Sequence, residues 1–237
     1  MRTIVDINSV EKSYGLTQVI NHCSFKIFEG EIYGLLGING AGKTTLMKMI
    51  LGLQQIDRGS IYVLGQKVSN NPEYLSNIGS VIENPTFYEH LNARELLSMH
   101  LCYMQKKADI SEILHLVGLE NADKKTISEY SLGMKQRLNL ARAIIHHPKL
   151  LILDEPLNGL DPIAISEMRG LMKKLTNEGI SILLSSHIIG EVRHTADRIG
   201  ILSDGYIKQE FSVKEKISEF GEHFEDYVIR LMRREQI

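Results

Sequence analysis

The run Gly37, Ile38, Asn39, Gly40, Ala41, Gly42, Lys43, Thr44 constrains this chain more than any other feature. It fits the pattern G-x-x-x-x-G-K-[ST] in the context that gives the pattern meaning, directly after the apolar segment Ile32 to Leu36 and at the head of a helical segment. The glycines permit backbone conformations and close approaches that a Cβ would obstruct, so successive amides can point at phosphate oxygens beside a helix N-terminus. Lys43 adds a point charge at the β- and γ-phosphates, and the Thr44 hydroxyl, followed by Thr45, is placed for Mg²⁺. A Gly-rich turn before a core helix is the alternative, and the complete pattern in its strand-to-helix setting outweighs it.

A second apolar segment, Leu150 to Leu153, ends in Asp154 and Glu155 and then Pro156. Two adjacent acids at a strand edge are by themselves more often a solvated turn. Together with the phosphate loop they read as the other half of a Mg²⁺ nucleotide site: Asp154 to hold the metal, Glu155 to orient and deprotonate an attacking water. His187 follows a third apolar segment, Ile180 to Leu184, and two serines, so it should emerge at the same sheet edge; a lone His is usually structural, but here it can bond a γ-phosphate. Tyr14 could stack on adenine, or be ordinary turn or core packing before Gly15.

Around these motifs the periodicity changes twice. Strand-like runs at Ile4 to Ile7, Val19 to Phe28 and Ser60 to Leu64 give way, from about Pro85 to Pro148, to helical spacing such as Leu96, Leu97, His100 and Leu101. Strand-like runs then return at Leu150, Ile180 and Ile199, with a helical stretch from Pro162 to Glu178 between the first two. Short apolar strands alternating with helices indicate an α/β fold with a buried parallel sheet. From Val213, helical spacing of Ile217, Phe220, Phe224, Tyr227, Val228 and Leu231, ending near Arg233 and Arg234, predicts a capping helix.

Hydrophobic residues make up 43% of the 237, enough for a sizeable core, while a formal net charge of -2 gives no reason to expect nucleic acid. Cys23 and Cys102 have no partners at metal-ligand spacing and read as reduced core thiols. Met1 to Val10 lacks signal-peptide character and nowhere do eighteen apolar residues run together. Any membrane role is therefore expected to need a partner that spans the bilayer.

Taken in order, these segments resemble the ATP-binding cassette (ABC) family over nearly the whole chain up to about Phe211. Ser131, Leu132, Gly133, Met134, Lys135, Gln136 and Arg137 resemble the family signature; Asn158, Gly159, Leu160 and Asp161 its D-loop; and His187 its switch histidine. The resemblance implies a P-loop NTPase nucleotide-binding domain with a mixed sheet core and a helical subdomain. Residues 1–84 and 149–211 would be a RecA-like ATP-binding core with an antiparallel β part, 85–148 the helical signature subdomain, and 212–237 the C-terminal helix. It further implies an ATPase using ATP and Mg²⁺, with Lys43, Glu155 and His187 catalytic, and a head-to-tail homodimer, or a heterodimer with a related cassette, in which Ser131 and Gly133 act on the partner's γ-phosphate. The signature departs from its usual form at Leu132 and Met134, and the Q-loop glutamine position holds Glu83, which could meet both nucleotide and metal. These departures, with Asn84, Pro85, Phe87 and Tyr88, resemble the branch serving bacitracin resistance and lantibiotic immunity. That implies a subunit on the inner face of the cell membrane, held there by a polytopic permease, driving export of a peptide antibiotic or drug. Signalling through such a partner without solute transport is the other reading.

Overall fold

The computed structural model describes residues 1–69, 73–83, 86–122 and 124–232. Two sheets organise them. The first is antiparallel, order β2-β1-β4-β5, built from β1 (Thr3–Tyr14), β2 (Thr17–Phe28), β4 (Arg58–Val63) and β5 (Gln66–Lys67). The sequence marks only Ile4 to Ile7 of β1. The ladder register shifts between Ile7 and Val10, around Ser9 at φ 45°, so the apolar alternation loses phase and the strand reads as shorter than it is.

The second sheet has order β10-β9-β3-β8-β7-β6, from β3 (Ile32–Leu36), β6 (Ile78–Val81), β7 (Leu150–Leu153), β8 (Ser181–Ser186), β9 (Arg198–Ser203) and β10 (Tyr206–Ser212). It is parallel except for β10, which pairs antiparallel with β9 at one edge, making the sheet mixed. Every residue of β3 and β7 is buried, as central parallel strands require. Period-two alternation then divides the core. Leu150 and Ile152 pack with the antiparallel sheet and α1 (Lys43–Ile50), whereas Leu151 and Leu153 face the other helices.

Those helices are α2 (Ala93–Met104), α3 (Ile110–Leu116), α4 (Leu132–Ile144), α5 (Pro162–Asn177), α6 (Ile189–Thr195), α7 (Val213–Phe220) and α8 (Phe224–Met232). Local chemistry starts them: Asn92 and Glu95 form a reciprocal capping box on α2, and Asp161 caps α5 with Pro162 at its first turn. Helix α4 lies on β6, where Gly79 leaves room for the Ala143 carbonyl. Two expectations need correction. The tail is two helices, because Gly221 at φ 54° turns the chain between them, and Phe220 and Tyr227 stack across the break at 4.3 Å. Cys102 is exposed on the outer face of α2, so only Cys23 is a core thiol, with burial pushing its pKa up to about 12. Asn84, Pro85, Arg233 and Arg234 lie outside the described residues.

Candidate nucleotide site

Strands β3, β8, β7 and β6 are consecutive parallel neighbours, so their carboxyl ends open on one edge. The loop Gly37–Gly42 leaves β3 there, Asp154 and Glu155 follow β7, His187 follows β8, and Glu83 stands two residues past the end of β6. The loop enters α1 through Gly42 at φ 103°, where a Cβ would come within 2.6 Å of Ile20 Cδ1; a Cβ on Gly37 would lie 2.6 Å from the Leu202 carbonyl oxygen. No side chain caps α1 and its first turn carries no acid, leaving N–H groups free for an anion. Ile38, Asn39 and Gly40 form the exposed rim of the loop, Ala41 is tucked beneath, and Thr44 and Thr45 are half-buried on α1.

Lys43 is 6% exposed. Its Nζ donates to the Gly37 carbonyl at 2.7 Å and the Ile38 carbonyl at 3.3 Å, and lies 3.2 Å from Glu155 Oε1. His187 Nδ1 meets the other oxygen of Glu155 at 2.9 Å. The Thr44 hydroxyl donates to Asp154 Oδ2 at 2.6 Å. Glu155 itself sits at φ 49°, a left-handed conformation that L residues adopt only when surroundings hold them there. Lys43, Thr44, Asp154, Glu155 and His187 therefore form one connected cluster. The cradle with its buried ammonium fits a polyphosphate, and the paired hydroxyl and carboxylate oxygens fit a hard divalent cation.

Four other candidates, Glu83, Tyr14, Ser131 and Gly133, make no hydrogen bond or ion pair with this cluster. The Glu83 carboxylate turns to Lys48 of α1 at 2.6 Å, which raises the Lys48 pKa, and among the described residues no three His, Cys, Asp or Glu side chains converge as a metal site. Glu83 nonetheless lines one hollow with Asp154, Glu155 and Gln136. Tyr14 is 48% exposed, its ring lies under Lys12 Nζ at 5.6 Å, and it does not line the hollow beside Ile38–Ala41. Ser131 caps α4, its hydroxyl accepting from Met134 N–H at 3.3 Å, and with Gly133 it lines a different hollow, shared with Gly159, Leu160 and Asp161.

Sequence reasoning missed Ser185. Its hydroxyl donates to Asp154 Oδ1 at 2.5 Å and accepts the Glu155 N–H at 2.9 Å, linking the two acids. Only its place two residues before His187 hints at this.

The family model described as "ABC transporter" matches residues 20–158, from within β2 through the phosphate loop, α4 and β7 to Asn158. The chain belongs to the ABC transporter family. It is an ATP-binding subunit and an ATPase of that family. The bacitracin transport ATP-binding protein BcrA of Bacillus licheniformis is 45% identical over 214 residues, covering 89% of this chain and 70% of that protein. The lantibiotic transport ATP-binding protein SrtF of Streptococcus pyogenes is 42% identical over 219 residues, covering 91% of this chain and 95% of that one. A solved ATP-binding subunit of an ABC transporter superposes with a TM-score of 0.85 at 29% identity, covering 97% of this chain and 100% of that chain. Among the described residues no helix is long and apolar enough to cross a membrane.

Proposed function

We propose that two copies of this chain, or one copy and a related cassette, close head to tail around ATP and so drive a polytopic membrane permease that exports a peptide antibiotic. The observation that supports this reading is that Ser131 and Gly133 line a hollow to which none of Lys43, Thr44, Asp154, Glu155 and His187 contributes, so one chain brings the two groups of residues to different hollows. Leu132 at 52% and Ile163 at 74% exposure rim the Ser131–Gly133 hollow, apolar surface that an incoming subunit would cover.

Within the closed site, the loop amides and Lys43 bind the β- and γ-phosphates. Glu155, drawn from Lys43 as the phosphate takes that ammonium, accepts the proton of the attacking water, and His187 steadies its carboxylate or turns to the γ-phosphate. A Mg²⁺ ion held through Thr44 and Asp154 would neutralise charge between the phosphates. Ser131 and Gly133 would meet the γ-phosphate of the opposite subunit, so ATP favours closure and hydrolysis removes that preference. Glu83, beside this hollow, is suited to relay closure to the permease. The peptide cargo is supported by the names of the bacitracin and lantibiotic relatives, and the permease would hold the chain on the inner membrane face.

The test is Glu155→Gln, tagged and trapped with ATP and Mg²⁺ in native cells, then analysed for mass and for co-purifying chains. A dimer formed with ATP but not ADP, recovered with a polytopic membrane protein, is expected. A monomer under ATP overturns the paired site; a dimer recovered only with soluble partners overturns the transport reading.

A further inference from the structure

We propose that Ser185 is a positioning residue for ATP hydrolysis, holding the Asp154 carboxylate and the Glu155 turn together through one hydroxyl. The inference rests on the roles just given to Asp154 and Glu155, and adds the group that fixes both.

Strand β8 is buried at all six positions, and its first members, apart from Ser181, are apolar. A hydroxyl in such a strand is costly unless its hydrogen bonds are made. At Ser185 they are made to the two acids. A serine hydroxyl has one proton and two lone pairs. The proton goes to Asp154 Oδ1 at 2.5 Å and a lone pair takes the Glu155 N–H at 2.9 Å.

The other oxygen of Asp154 takes the Thr44 proton at 2.6 Å, so two hydroxyls from different elements clamp this carboxylate and leave it one orientation. The second bond acts on the backbone. Glu155 occupies φ 49°, and the bond from its N–H to Ser185 is part of what holds it there. From that conformation its oxygens reach Lys43 at 3.2 Å and His187 at 2.9 Å. Ser186, one residue on, faces the other way: it donates to Glu191 Oε2 at 2.5 Å and accepts the Ile188 N–H at 2.9 Å, shaping the turn after His187. The end of β8 thus carries two hydroxyls with separate tasks, and only Ser185 touches the acids.

Loss of this hydroxyl should disturb cation binding and the chemical step while leaving the phosphate loop alone. Ser185→Ala and Ser185→Thr in the full chain are compared by steady-state ATPase, by Mn²⁺ affinity in the presence of ADP from electron paramagnetic resonance, and by Tm. For Ala, Mn²⁺ affinity and kcat should each fall roughly 10- to 100-fold, the effect typical of removing an outer hydrogen-bond partner of a metal ligand, with KM for ATP changed far less. Thr, which keeps the hydroxyl, should recover Mn²⁺ affinity. Wild-type Mn²⁺ affinity in Ser185→Ala overturns the proposal, whatever happens to Tm or kcat, and so does a folded Thr variant that binds Mn²⁺ no better than Ala. If Thr fails to fold, the Ala titration decides alone. Asp154→Asn is measured beside them: weakened Mn²⁺ binding there with none in Ser185→Ala removes only Ser185, whereas no effect in either removes the metal reading of Asp154.

Discussion

Gly79→Ala isolates the seating of α4 on the sheet. Gly79 has ordinary backbone angles, so the substitution adds no dihedral strain. The new Cβ would overlap the Ala143 carbonyl oxygen and lie 2.9 Å from its carbonyl carbon and 3.0 Å from Leu151 Cδ1. Non-bonded carbon packs no closer than about 3.2 Å to oxygen and 3.5 Å to carbon, so the overlap with the carbonyl oxygen requires α4 to move by roughly 1 Å, and backbone cannot rotate away as a side chain can. Overpacking costs about 1–3 kcal/mol, and a rigid neighbour argues for the upper end. In a domain of this size about 3 kcal/mol lowers Tm by roughly 6–12 °C. Because α4 carries Leu132 and Gln136 into the hollow of Asp154 and Glu155, kcat should fall roughly 10- to 100-fold. ATP affinity of the isolated chain should change less than about threefold, since Lys43 and Thr44 lie on α1 after β3, and two strands, β8 and β7, separate β3 from β6. Scanning calorimetry, nucleotide titration and ATPase assay read these separately. Gly170→Ala is the control: nothing lies within 4 Å of its Cβ, so it should hold or raise Tm. A Gly79→Ala protein as stable and active as Gly170→Ala would refute the reasoning.

Lys43→Ala removes a buried ammonium that bonds two loop carbonyls and Glu155, and should weaken ATP binding by roughly 100-fold or more, read with a fluorescent ATP analogue; unchanged turnover would dismiss the phosphate-loop assignment. His100, on α2, has its pKa lowered from 6.5 to about 4 by burial and then by His146 and Arg142. The unfolded chain takes up its proton first as pH falls, so stability is lost from about pH 6.5 down towards 4. The gap corresponds to about 3 kcal/mol before screening, which solvent at this half-open site reduces to on the order of 1–2 kcal/mol. His100→Leu should shrink the drop in Tm between pH 7 and 5, and an unchanged drop would place the acid sensitivity elsewhere.

The parts of the fold that the sequence made legible are those whose burial leaves one reading. Ile32–Leu36 and Leu150–Leu153 are apolar throughout because both faces of those strands are covered, and their limits in sequence are their limits in the structure. The polar edge strand β10, half exposed, carries no such run, and Gly221 divides a tail whose apolar spacing continues across the break. The site follows the same division. Lys43, Asp154, Glu155 and His187 each stand just past an apolar segment, so topology alone gathers them. Side-chain pairing across the edge is not written in spacing: Glu83 meets Lys48, 35 residues away, and Ser185 meets Asp154, 31 residues away. The second pair is set by register. Leu153 of β7 lies beside Leu184 of β8, which brings the next residues, Asp154 and Ser185, together. A slip of one residue would reverse the faces along β8, and in the direction that presents Leu184 it would set a methyl group against Asp154 Oδ1. The same packing that buries Leu183 and Leu184 on opposite sides of the sheet therefore fixes the hydrogen bond at the acids, and core and catalytic geometry are specified by one register.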